Sequence, residues 1–182
     1  MDDYLKYYDL EGYLFREVGP RFREQGYLDA LDFFWIVVWK ANRAKSRIAR
    51  RLLAGGYPTL DAAVRDLTAG IASLSAAEDR MAYLIRDWHL RLPIASAILT
   101  VLFPEEFTVY DVRVCDSLEA FHGLADIVRF ERLWMAYTQY TEAVRKSAPG
   151  GLSLRDKDRY LWGKSRFQEL EEAIRTAFHA SP

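Results

Sequence analysis

Apolar side chains recur along this chain at intervals of three and four, the period of helices with one buried face. Residues 9–23 place Leu10, Leu14, Phe15 and Val18 on such a stripe. Gly19-Pro20 is expected to kink or divide that helix, and Gly26 to interrupt it. Residues 28–40 carry Leu31, Phe34, Trp35, Val38 and Trp39 as the predicted inner face, with Asp29 or Asp32 near the start, where a carboxylate suits the helix dipole. Residues 46–53 continue helically and stop at Gly55-Gly56. Thr59 is the predicted N-cap of a helix running from Leu60 to Leu74. Ser75-Ala-Ala-Glu78 has the spacing of a capping box for the next helix, which reaches Trp88.

Residues 93–102 open with Pro93 at a first-turn position and continue with small and apolar side chains until Pro104 stops them. This pattern predicts a central buried helix, with Ala95, Ala97 and Ile98 nearly inaccessible. Residues 107–114 alternate well enough for a short strand, and the pattern leaves strand and helix open there. A long helix is predicted over 126–146, with Ile127, Phe130, Leu133, Trp134 and Tyr137 on one side. Residues 147–151 form the clearest loop, and Ser153-Leu-Arg-Asp156 caps a last helix running through Leu161 and Trp162. No repeat or linker breaks the series, so the expectation is one all-α domain over residues 1–182, with at most a slight split between outer helices and a central layer.

Composition narrows the class of protein. The 182 residues are 51% hydrophobic and 28% charged, a profile that excludes a disordered chain. The single cysteine, Cys115, excludes an internal disulfide and a cysteine-rich zinc site, and a buried packing role is expected for it. His89, His122 and His179 have no ligand-like spacing, so no metal site is expected. The early Asp2-Asp3 and the lack of an apolar stretch of membrane-spanning length predict a cytoplasmic protein. A net charge of −1 supplies no global pull toward nucleic acid, so such a partner must be argued locally.

Three constellations carry candidate chemistry. Lys40, Arg43, Lys45, Arg47, Arg50 and Arg51 fall in a stretch with no acid, which fits either a phosphate-binding patch beside Trp39 or a solvated helix face. Asp111, in Val-Tyr-Asp-Val-Arg, is a helix cap, an ion-pair partner for Arg113 or a catalytic carboxylate. Residues 155–164 mix charges as a solvated face does, with Leu161 and Trp162 expected to pack inward.

Leu92-Pro-Ile-Ala-Ser-Ala-Ile-Leu-Thr-Val-Leu followed by Pro104-Glu-Glu-Phe-Thr-Val-Tyr-Asp111-Val-Arg-Val resembles the core of the helix-hairpin-helix DNA glycosylase superfamily. Trp39-Lys40-Ala-Asn-Arg43 and Asp158-Arg-Tyr-Leu-Trp162 look like pieces of a bacterial subgroup with an 8-oxoguanine-glycosylase-like fold. The likeness covers residues 84–118 well and the rest loosely. It implies a helix-hairpin-helix-like central element and a DNA partner, with modified or phage DNA among the candidates, and no cofactor. Asp111 would be the catalytic carboxylate, stabilising an oxocarbenium-like sugar and orienting water. The hairpin, residues 87–93, lacks the family's two glycines, and no lysine occupies the Schiff-base position, which implies a monofunctional mechanism. Trp39, Tyr110 and Trp162 are the candidate walls for a flipped base, and Lys40, Arg43, Lys45, Arg47, Arg113 and Lys164 the candidate DNA contacts. Two other readings stay open. One is a catalytically silent nucleic-acid or nucleotide-binding module in phage defence or regulation. The other is a helical interaction protein with an aromatic surface.

Overall fold

A computed structural model describes residues 4–177. It is all-α, with no strand among the described residues. The chain divides into two compact units with the boundary between Phe107 and Thr108.

The first unit contains α1 (Leu5–Tyr8), α2 (Leu10–Tyr13), α3 (Gly19–Gln25), α4 (Ala30–Ala41), α5 (Lys45–Ala54), α6 (Leu60–Ser73), α7 (Ala77–Ala82) and α8 (Leu92–Leu102). Its centre is α8, where every residue from Ile94 to Leu102 is buried. Ala95, Ala97 and Ile98 are closed to solvent as their small or compact side chains predict. Each fully buried aliphatic side chain contributes roughly 1.5–3 kcal/mol. Against α8 lie α3, α4 and α7. Gly19 permits the closest approach, because a Cβ there would stand 2.6 Å from the Val101 carbonyl oxygen. The expected division at Gly19-Pro20 takes the form of a π-helical turn, Leu14–Val18, joining α2 to α3.

Two local expectations are corrected here. The buried face of α4 is Asp32, Phe33, Ile36 and Val37 rather than the stripe through Leu31, which is exposed. Nearly every residue from Leu31 to Trp39 is apolar, so periodicity alone could not choose the face. The other side of α4 carries a second aromatic layer: Trp35 stacks on Tyr7 at 4.8 Å and Trp39 meets Phe15 edge-on at 5.8 Å. The N-cap of α7 is Ala76, with no side-chain bond, so Ser75 and Glu78 do not form a capping box. The predicted caps of α4 and α6 are present: Asp29 accepts from the Asp32 amide at 2.8 Å and Thr59 from the Ala62 amide at 3.1 Å.

The second unit holds α9 (Val112–Leu118), α10 (Phe130–Ser147) and α11 (Leu154–Ala177). The ambiguous segment proves to be extended up to Asp111 and helical from Val112, so no strand forms. The long helix starts later than predicted, at Phe130, after a 3₁₀ turn over Leu124–Asp126. Its buried stripe is Phe130, Leu133, Tyr137, Tyr140, Thr141 and Val144. The predicted cap of α11 is present: Ser153 accepts from the Asp156 amide at 3.1 Å and its hydroxyl donates to the Asp156 carboxylate at 2.8 Å. Leu161 is buried, but Trp162 is 44% exposed, because adjacent helical positions lie about 100° apart and cannot share one narrow face.

Candidate functional site

The basic segment of the first unit begins at the end of α4 and runs through a 3₁₀ turn, Asn42–Ala44, into α5. Ile48 and Leu52 anchor α5 in the core. That anchoring leaves Arg43, Lys45, Arg47, Arg50 and Arg51 exposed. Among the described residues these five form no ion pair; Lys45 bonds only to the Asn42 side-chain oxygen, at 2.7 Å. Most other arginines here do have carboxylate partners, including Arg16 with Asp9, Arg65 with Asp61 and Arg80 with Glu106. Like charges at helical spacing oppose helix formation by roughly 0.2–0.5 kcal/mol per pair, so this unneutralised stripe is not explained by helix stability.

Arg51 donates to the carbonyl of His89, which lies in the turn between the π-helical Tyr83–Asp87 and α8. His89 adopts a left-handed backbone, φ 51°, that glycine takes without steric cost. At the start of α8, Pro93 carries no N–H, while Ile94 and Ala95 donate back to the Arg91 carbonyl at 3.0 Å. Trp39 is half-buried against Phe15, and Lys40 occupies the last turn of α4.

Asp111 lies in the second unit as the N-cap of α9. Its Oδ1 accepts from the Arg113 amide at 3.0 Å, and its carbonyl from the Cys115 amide at 3.0 Å. The cap role therefore holds. The preceding extended backbone is pinned by two phenols of α10. Tyr137 accepts from the Thr108 amide at 3.1 Å and donates to the Thr108 carbonyl at 2.6 Å, while Tyr140 donates to the Val109 carbonyl at 2.8 Å. Burial pushes both phenols above their usual range, so both stay neutral donors. Their spacing of three on the inner face of α10 is the sequence signal for such a clamp.

The other candidates of this unit are dispersed. Tyr110 is buried, and its hydroxyl donates to the carbonyls of Phe121 and His122 at 2.9 and 3.0 Å. Burial pushes it up to about 12. The guanidinium of Arg113 lies over the Trp162 ring at 5.7 Å and pairs with Glu169. Lys164 is exposed on α11. Cys115 is buried, and burial pushes its thiol up to about 11, the state of an inert packing cysteine. His122 is exposed beside Asp116 at 2.8 Å, and His179 lies outside the described residues.

One cluster escaped sequence reasoning altogether. Asp32, 2% exposed, accepts from the Tyr13 hydroxyl at 2.5 Å and pairs with Arg21. Nothing in the sequence ties those three positions together. Among the described residues no group of side chains is arranged to hold a metal ion, and no helix is long and apolar enough to cross a membrane. Compared with protein-family models, curated proteins and solved structures, the chain finds no significant match.

Proposed function

We propose that the protein binds DNA along the Arg43, Lys45, Arg47 and Arg50 stripe and hydrolyses the N-glycosidic bond of a flipped or modified base, with Asp111 as the catalytic carboxylate. The observation that carries the binding half is the run of exposed cations without carboxylate partners on and beside α5. Such a set is matched by a phosphate backbone, whose counterions it releases. The turn after Asp87 supports the same reading. Four residues separate the π-helical Tyr83–Asp87 from α8, a connection of hairpin length, and Arg51 of the basic stripe donates to the His89 carbonyl within it. The chemical half rests on the likeness of residues 84–118 to the glycosylases. In that mechanism the Asp111 carboxylate stabilises positive charge developing on the sugar and orients the attacking water. Trp162, exposed and partly covered by Arg113, is the available aromatic face for an extruded base.

A second reading is a silent binding module, favoured by the cap bond that already engages one oxygen of Asp111. One experiment separates the two. Release of free base from genomic or phage DNA is followed by mass spectrometry, beside binding titrations at several salt concentrations. Asp111→Asn is expected to abolish release while leaving affinity intact or slightly raised. Arg43→Ala and Arg47→Ala are expected to weaken binding and to reduce the slope of log K against log salt by about one unit or less each. Turnover unchanged in Asp111→Asn overturns the glycosylase mechanism. A salt slope unchanged in both arginine variants overturns the DNA reading.

A further inference from the structure

The last helix has two apolar faces, and only one is used. Leu154, Asp158, Leu161 and Ser165 are buried and form the face turned into the second unit. Beyond Ser165, every residue from Arg166 to Thr176 is exposed. Yet this half is not polar throughout: Tyr160, Phe167, Leu170 and Ile174 are 46%, 67%, 61% and 50% exposed. At about 100° per residue these four and Gly163 fall within about 80° of arc, almost opposite the buried face. Their spacing is that of alternating a and d heptad positions, with Tyr160, Phe167 and Ile174 at a and Gly163 and Leu170 at d. A Cβ at Gly163 would meet nothing within 4 Å. Three helical turns that present an apolar seam to water lack the burial that normally holds an amphipathic helix in place.

We infer that this seam pairs with the same seam of a second copy of this chain, antiparallel and about a two-fold axis. The sequence complements itself in that orientation. With the axis between Gln168 and Glu169, Phe167 faces Leu170 of the second copy, and Ile174 faces the space left by Gly163. On one edge Lys164 then flanks Glu171 of the other copy, and two-fold symmetry makes that pair twice. On the other edge Arg166 flanks Ala173, with no charge opposed. A parallel, in-register pair fits worse: its attraction between Arg166 and Glu171 is offset by the repulsion between Arg159 and Lys164, and Gly163 would face itself and leave a gap in the seam. Charge and size therefore select both the occupant and its direction.

The test uses the full chain in sedimentation velocity across a wide concentration range. The expected result is a monomer–dimer equilibrium. Phe167→Asp with Leu170→Asp, both at exposed positions that leave the buried face intact, should raise the dissociation constant at least about tenfold, with the melting temperature unchanged at concentrations where the parent is monomeric. Lys164→Glu and Glu171→Lys should each weaken the dimer several-fold, and the two together should restore it. A chain that stays monomeric at every concentration, or a dimer indifferent to the Phe167 and Leu170 changes, overturns the proposal. Failure of the double charge exchange to restore association overturns the antiparallel arrangement.

Discussion

Asp32 in the first unit and Asp111 in the second are both carboxylates near the start of a helix, and they are held in opposite ways. Asp32 does not cap α4; Asp29 does that, which frees Asp32 to turn inward. There it is almost wholly buried, with a phenol and a guanidinium on its oxygens. Asp111 is the cap itself, half-buried, with Arg113 N–H on one oxygen and its own backbone fixed by the clamp that Tyr137 and Tyr140 place on the preceding residues. The buried acid is committed to three-way pairing, and its surroundings were built to satisfy it. The capping acid is bound to the backbone of the helix it starts, through the Arg113 and Cys115 amides.

The widest separation between the two acids should appear in stability. Asp32→Ala leaves the buried Tyr13 hydroxyl and the inner end of Arg21 without an acceptor. Removing the acceptor of a buried hydroxyl costs about 1–3 kcal/mol, and the charge left on part-exposed Arg21 adds little because it reaches water. Urea unfolding with unchanged slope is the measurement. A loss under about 1 kcal/mol would mean that Tyr13 and Arg21 find water instead, and that the cluster is not the tight network its geometry describes.

How far the sequence revealed these two regions follows from what each depends on. Local rules were legible: the caps Asp29, Thr59 and Ser153, the buried α8 with its small residues, and the exposed charges of α5 all follow from neighbours within one or two turns. The face of α4 was not legible, since Phe33 and Phe34 are equally apolar and only the contacts of α8 choose between them. Trp162 differs for another reason: it is as apolar as Leu161, and only the phase of about 100° between adjacent helical positions turns it outward. Asp32 was invisible as a site because its partners lie eleven and nineteen positions away, at no repeating spacing. Asp111 could be singled out from its apolar setting, yet the clamp that positions it comes from α10, about thirty residues on, and no local pattern announces it.

A smaller effect sharpens the contrast at Asp111. Loss of an N-cap costs about 1 kcal/mol, so Asp111→Ala should lower stability by roughly that amount. Asn caps about as well as Asp, and Asp111→Asn should stay within about 0.5 kcal/mol of the parent. Thermal unfolding of the pair decides the point. Equal losses in both variants would show that the negative charge, rather than the cap bond, holds the start of α9, and the base-release experiment would then need correction for unfolding.

The smallest effect is a slope with pH, and its sign distinguishes a buried acid from a solvated cap. Burial is the largest influence on Asp32 and raises its carboxyl above the usual range; the Tyr13 and Arg21 contacts oppose this without overcoming it. The folded state therefore holds the Asp32 proton more tightly than the unfolded chain does. Its contribution is full below the unfolded value of about 4 and is lost as pH rises through the folded value. Asp156, the acid beside the Ser153 cap of α11, behaves oppositely. The Ser153 hydroxyl, and then Arg159, lower its carboxyl, so its contribution is present above the unfolded value and is lost as pH falls. Differences against neutral variants isolate each group from the other acids. The stability advantage of the parent over Asp32→Asn should shrink from acid toward neutral pH, whereas its advantage over Asp156→Asn should grow. An advantage over Asp32→Asn that also grows would mean that Arg21 outweighs desolvation, making the buried acid an ion-pair site whose charge stabilises the fold.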